Sequence, residues 1–189
     1  MIGEVGELPK AVDALRQANR IVVIGCSGGG KTTLSLRIAG ALQLPFISMD
    51  REFFWLPGWQ NRTKPDERAR IAVAAAGDRW VMDGTGSSSF DLRLPRAQFV
   101  LWVRMPRHLC LWGVVKRWLR WRGRSRPHMA DDCPERLDPE FLRYIWTFER
   151  KVSPAIATAL ARYGADVPVY EVKSRAEMRA LLDLVDVSA

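Results

Sequence analysis

The sequence predicts an α/β fold, a five-stranded parallel sheet covered by helices. Three observations carry that expectation. Short β-branched apolar runs alternate with stretches of helical periodicity along the chain. The runs are apolar at consecutive positions, as strands buried on both faces must be. The first run ends in a glycine-rich turn that opens an amphipathic stretch, giving a strand–loop–helix unit.

The elements follow in order. A helix is expected from Pro9 to about Ala18, and Ile21-Val22-Val23-Ile24 is the first strand. Thr32 to Leu42 places Leu34, Ile38, Ala41 and Leu42 at helical spacing. Pro45 to Met49 is the second strand. Thr63, Pro65 and Asp66 read as an N-cap with a capping-box acid, opening a helix to about Ala76. Arg79 to Met82 is the third strand, ending at Asp83-Gly84, and Gln98 to Arg104 is the fourth. Pro106 suits the first turn of a helix that reaches about Trp121. The polar stretch Arg122 to Glu135, with Gly123, Pro127 and Pro134, interrupts the periodicity. Asp138-Pro139 opens a long helix, Ser153-Pro154 restarts it, and Gly164 ends it as a C-cap. Val167 to Val172 is the fifth strand, and Ser174 with Glu177 caps the final helix. The count is five strands and about seven helices, in a single domain spanning 1–189.

Composition bounds the partners. The chain is 48% hydrophobic and 26% charged, enough to bury a core. Lys and Arg number 29 against 21 Asp and Glu, a net +8 that favours an anionic partner. No apolar run approaches the ~18 residues of a membrane span, so no membrane partner is expected. Met1 to Arg20 carries Glu4, Glu7 and Asp13 and lacks the apolar centre of a secretory signal. Cys26, Cys110 and Cys133 cannot all pair, and none stands in a C-x-x-C. That pattern fits a reducing cytoplasm and excludes a disulfide framework or zinc ribbon.

Gly25-Cys26-Ser27-Gly28-Gly29-Gly30-Lys31-Thr32 matches G-x-x-x-x-G-K-[ST] in full. Gly25, Gly28, Gly29 and Gly30 free the backbone to turn its amides around a phosphate, with Ser27 between them. The helix start, including Thr33, adds free donors and partial positive charge. Lys31 has the reach for β- and γ-phosphates, and the Thr32 hydroxyl suits Mg²⁺. A helix N-terminus can acidify a thiol placed as Cys26 is, but a small side chain tolerated at a variable position is the favoured reading. The metal also needs an acid from the end of another strand. Asp83 is the first choice, and Asp50, ending the second strand, is the alternative or faces the acceptor.

Lys116, Arg117, Arg120, Arg122, Arg124 and Arg126 are six cations in eleven residues with no acid among them. Leu111, Val114, Val115, Trp118 and Trp121 recur at helical spacing as an apolar face. Converging arginines can neutralise a transferring phosphoryl group. The same residues also fit nucleic-acid binding with base stacking, adsorption on an anionic membrane, or a plain solvated face. Gly123 and Pro127 suit a segment that opens and closes.

Taken together, the chain resembles a P-loop kinase of the adenylate-kinase-related group. It is most similar to the DNA topology modulation (FlaR-type) group of small nucleotide kinases. The carrying residues are Gly25 to Thr32, Asp50 with Phe54-Trp55-Leu56-Pro57-Gly58-Trp59, and Trp80-Val81-Met82-Asp83-Gly84. Asp91-Leu92-Arg93-Leu94-Pro95-Arg96, Arg122-Gly123-Arg124-Ser125-Arg126-Pro127 and Cys133-Pro134-Glu135 complete the set. The resemblance covers about Ile21 to Arg162. It implies a three-layer P-loop NTPase fold with strand order 2-3-1-4-5. It also implies an acceptor-binding region at about 50–77 and a lid at about 120–136. Asp83-Gly84 matches the kinases' Asp-Gly-Phe-Pro-Arg segment without its Phe-Pro-Arg, leaving Arg93 as the candidate grip on an acceptor phosphate. Arg117 matches the arginine that begins the kinase lid, and its companion one turn earlier falls on Gly113. The four-cysteine zinc site of some relatives is absent.

The implied function is transfer of the γ-phosphoryl of ATP–Mg²⁺ to a nucleotide, nucleoside or similar small acceptor. Lys31, Arg117, Arg120, Arg124 and Asp50 are the catalytic candidates. Arg122 and Arg126 would join the loop on ATP, with Thr32 and Asp83 on the metal. Asp50, Trp55, Trp59, Arg62 and Arg93 would form the acceptor pocket, with hydrophobic packing an equal reading for the two tryptophans. The alternative is a DNA-binding regulatory protein that uses ATP as a switch. Monomer and dimer are both open. A GTPase is disfavoured, because Thr63-Lys64-Pro65-Asp66 lacks the base-reading asparagine.

Overall fold

The computed structural model describes residues 3–4 and 7–186. Along the chain run β1 (Gly3–Glu4), α1 (Leu8–Gln17), β2 (Arg20–Gly25), α2 (Lys31–Ala41) and β3 (Phe46–Ser48). A single π-helical turn at Asp50–Phe54 leads into a small hairpin, β4 (Trp55–Leu56) and β5 (Gln60–Asn61). Then come α3 (Lys64–Ala76), β6 (Trp80–Asp83), α4 (Phe90–Arg93), β7 (Phe99–Val103) and α5 (Arg107–Trp121). The chain closes with α6 (Pro139–Lys151), α7 (Ser153–Tyr163), β8 (Pro168–Val172) and α8 (Arg175–Asp186).

The main sheet is parallel, in the order β1-β8-β7-β2-β6-β3. The five expected strands stand in the expected order. A sixth, β1, adds two residues at the outer edge of β8 through main-chain pairing of Gly3 with Pro168 and Glu4 with Val169. Gly3-Glu4 has no apolar run to betray a strand. The central strands are buried along their whole lengths: all of β6 and β7, and β2 from Ile21. Consecutive burial requires cover on both faces, which two helical groups supply. One joins α2 and α1 to α8; the other runs α3–α4–α7–α6–α5.

Helix boundaries follow local chemistry. Asp138 caps α6, its side chain accepting from the Glu140 N–H at 2.8 Å. Pro154 sits in the first turn of α7, where its missing N–H costs nothing, so the helical run restarts after Val152. Ser174 accepts from the Glu177 N–H at 3.1 Å, while the Glu177 carboxylate accepts from the Lys173 N–H at 2.7 Å. The capping box expected at Thr63 does not form: its side chain makes no cap hydrogen bond. Asp66 turns instead to Arg62 and Arg70, because two guanidinium groups compete for it.

Candidate active site

The glycine-rich loop leaves the carboxyl end of the central strand β2 and ends where α2 begins at Lys31. Gly28 has φ +77°, and a Cβ there would lie 2.0 Å from the carbonyl oxygen of Cys110. The contact is reciprocal. A Cβ on Gly113 would lie 2.2 Å from the Gly28 carbonyl oxygen. Helix α5 therefore rests main chain to main chain on the loop, which explains why glycine occupies the position where the resemblance places an arginine.

The loop's first residue is tied to the next strand. The Thr85 hydroxyl accepts from the Gly25 N–H at 3.0 Å and donates to the Gly25 carbonyl at 2.8 Å. Lys31 folds back, its ammonium donating to the Cys26 carbonyl at 2.9 Å. The Thr32 hydroxyl donates to Asp83 Oδ2 at 2.6 Å. Asp83 is 6% exposed, and its other oxygen, Oδ1, is buried with no hydrogen-bond partner. Burial pushes this carboxyl above its usual range, opposed by the Lys31 charge and the Thr32 hydrogen bond. A hydroxyl, a carboxylate with an unused buried oxygen and a nearby ammonium fit a hydrated Mg²⁺ carried by phosphates. Asp50 makes no such contact with Thr32; it pairs with Arg126.

Cys26 follows the favoured reading, a small side chain, and not the acidified thiol. It is 5% exposed, and its hydrogen bond with the Cys110 thiol, together with burial, pushes its pKa up. It is a small buried side chain under the loop.

A cavity of about 940 Å³ opens over the loop. Gly25, Ser27, Gly28, Gly30, Lys31, Thr32, Thr33 and Asp83 line its floor. Asp50, Trp55 and Trp59 form one wall, and Arg117, Arg120 and Arg126 the other. Gly29 lies beneath, its N–H donating to the Cys26 carbonyl at 3.3 Å.

The basic wall is organised by an acid that the residue-by-residue reading passed over. Glu135, its side chain 4% exposed, accepts from Arg117 Nε at 3.0 Å and pairs with Arg126 Nε at 3.0 Å. Arg126 also donates to Asp50 Oδ2 at 2.9 Å. Burial and the neighbouring Arg126 lower the Arg117 pKa, and Glu135 opposes that shift. The chain Arg117–Glu135–Arg126–Asp50 thus ties the segment after α5 to the turn after β3. A second contact reinforces it. Met129, Ala130 and Cys133 form a separate small core with Trp55 and Trp59. There the Trp59 N–H donates to Cys133 Sγ at 3.2 Å, and its indole donates to the Pro134 carbonyl at 3.1 Å. The tryptophans therefore line the cavity and pack on the polar segment at once.

Besides Gly29, four expected site residues lie outside the cavity lining. Arg93 is fully buried and donates to the carbonyls of Gly84 (2.9 Å), Thr85 (2.5 Å) and Gly86 (3.0 Å) and to the Ser89 hydroxyl (3.1 Å). The Gly86 carbonyl also accepts from the Ser89 N–H at 3.0 Å, whereas Gly84 and Thr85 lie in the turn between β6 and the helical turn that this bond closes, so the guanidinium is committed to shaping the loop after β6. Its burial lowers its pKa to about 10. Arg62 pairs with Asp66 at 2.9 Å. Arg122 stacks on Trp118 at 5.1 Å, and Arg124 is exposed to solvent. Helix α5 ends at Trp121, so the following residues no longer share its cavity face.

Lys64, Glu67, Arg175 and Thr85 are among the cavity-lining residues not foreseen. Lys64 pairs with Glu67 at 2.6 Å, and Glu67, 2% exposed, accepts from the Ser88 hydroxyl at 3.1 Å. Arg175 reaches over from α8 toward the Gly28 carbonyl at 3.4 Å. None belongs to a local motif; only the sheet's carboxyl edge brings them together.

No family model and no curated protein matches the chain. Among solved structures it is similar to shikimate kinase from Acinetobacter baumannii in complex with shikimate. That match has a TM-score of 0.55 and 18% identity, covering 94% of this chain and 96% of that one. Shikimate kinase from Bacteroides thetaiotaomicron matches at TM-score 0.54 and 17% identity, covering 90% and 98%. The chain has the α/β fold of P-loop kinases.

Proposed function

We propose that this chain transfers the γ-phosphoryl group of ATP–Mg²⁺ to a hydroxyl of a small acceptor such as a nucleoside. The observation that carries the reading is the Thr32–Asp83 contact beside Lys31 at the foot of a glycine loop, facing Asp50 across one cavity. Fold likeness to shikimate kinases supports a small acceptor by analogy only.

The residues divide the work. Loop amides and the start of α2 would hold phosphate oxygens. Lys31 would exchange the Cys26 carbonyl for a phosphate oxygen. Thr32 and the buried Asp83 would hold Mg²⁺, which supplies charge neutralisation between phosphate oxygens. Arg117, Arg120 and Arg126 would face the moving phosphoryl group and keep water out. A phosphate acceptor calls for a free arginine clamp. Arg93 and Arg62 are both committed elsewhere, which supports a hydroxyl acceptor with Asp50 as its base once Arg126 shifts to phosphate.

The test is a transfer screen with ATP–Mg²⁺ over nucleosides, nucleoside monophosphates and sugars. Transfer to a hydroxyl acceptor, abolished by Lys31→Ala, is expected. Faster transfer to monophosphates would overturn the hydroxyl reading. Salt-dependent DNA retention lost with Arg120, Arg122 and Arg124, without any transfer, would favour the DNA-binding switch.

A further inference from the structure

The side of α5 turned away from the cavity carries large apolar groups that the fold leaves bare. Trp112 is 54% exposed and Leu119 61% exposed. They stand two turns apart on one stripe, with half-buried Val115 between them and half-buried Leu111 and Trp118 alongside. This is not the stripe that builds the core: Cys110 and Val114 are buried, and Lys116, Arg117 and Arg120 line the cavity. Helix α5 is thus occupied on its inner side and unpartnered on its outer one.

Cations frame the bare stripe. The Lys116 ammonium lies 5.1 Å from the Trp112 ring centroid, and the Arg122 guanidinium 5.1 Å from that of Trp118. On neighbouring α6, Trp146 is 50% exposed with the Arg107 guanidinium 3.9 Å from its ring centroid. From Arg107 to Arg126 the sequence has seven Lys or Arg residues and no Asp or Glu.

We propose that this face of α5 adsorbs to an anionic lipid bilayer, with Trp112 and Leu119 entering the interface and the surrounding cations at headgroup level. Three occupants compete for such a surface, and the chemistry separates them. A second copy of the chain would set the Arg107, Lys116 and Arg122 cations that border the stripe against their own copies, with no acid in residues 107–126 to neutralise them. Nucleic acid uses the cations but gains nothing from Leu119 and Val115, which have no polar handle. An anionic bilayer uses both: apolar side chains leave water, and each nearby cation adds attraction to the lipid surface. Tryptophan ringed by Lys and Arg is the composition such interfaces favour. The contact is peripheral, since no helix among the described residues is long and apolar enough to cross a membrane.

The test sediments the full chain with vesicles of phosphatidylcholine alone and of phosphatidylcholine mixed with phosphatidylglycerol. Partition about tenfold or more stronger on the anionic vesicles, weakened by salt, is expected. The Trp112→Ser/Leu119→Ser double variant is expected to lose about tenfold of that partition while keeping its unfolding temperature. Trp112→Phe should keep most of it and guards against a folding artefact. Val73→Ser, which removes an apolar side chain 78% exposed on α3, should change nothing. The proposal is overturned by equal partition on both vesicles, by no partition at all, or by a double variant that binds like the parent. It is also overturned if the double variant instead loses DNA retention or a concentration-dependent dimer.

Discussion

Gly113 and Arg93 show how a single side chain, or its absence, is dictated by the main chain beside it. At Gly113 the Gly28 carbonyl leaves no room for a methyl group. Gly113→Ala should therefore destabilise by about 1–3 kcal/mol, against alanine's better helix propensity, as thermal unfolding would report. If the proposed reaction holds, a weaker response to ATP in the same assay should accompany it, because the displaced atom belongs to the glycine loop. At Arg93, one guanidinium serves four oxygens, the Gly84 and Thr85 carbonyls among them. Arg93→Met should cost about 2–4 kcal/mol by stranding buried acceptors. An arginine that gripped the acceptor would instead raise the acceptor's KM with stability unchanged. The position of Arg93 after Asp-Gly was legible in the sequence; the direction in which its side chain turns was not, since that depends on carbonyls left unpaired by a turn.

Among the elements, those with continuous apolar runs were legible and those made by pairing were not. Ile21–Ile24 and Phe99–Val103 announce buried strands because every residue is apolar. The hairpin Trp55–Asn61 has two residues per strand, too few for any period, and the π-helical turn before it has no sequence signature. The segment after α5 reads as a polar, proline-broken lid. Its anchor is Glu135, whose role exists only because Arg117 and Arg126 converge on it. Glu135→Gln keeps the shape and removes the charge that separates two buried guanidinium groups. We expect a loss of about 3 kcal/mol in stability. Amide hydrogen exchange should also accelerate selectively across residues 122–136, and uniform acceleration would count against a local anchor.

For the molecule as a whole, acid stability offers a check on how α3 is fastened to α4. Arg68 grips Asp91 with two hydrogen bonds, at 3.0 and 2.5 Å, and this holds the carboxyl below its ordinary value of 3.8. A depressed carboxyl contributes stability above its unfolded pKa and loses it as pH falls through the folded value. Unfolding temperatures of the parent and Asp91→Asn should therefore differ near neutrality and converge in acid below about pH 4. A constant gap would show that the pair contributes by packing alone.

The small core of Trp55, Trp59, Met129, Ala130 and Cys133 stands apart from the main one and joins the two walls of the cavity. Neither wall swings out alone. Any motion that parts them must first let water into that miniature interior. Tightening those five side chains would hinder that parting without touching the glycine loop, Thr32 or Asp83.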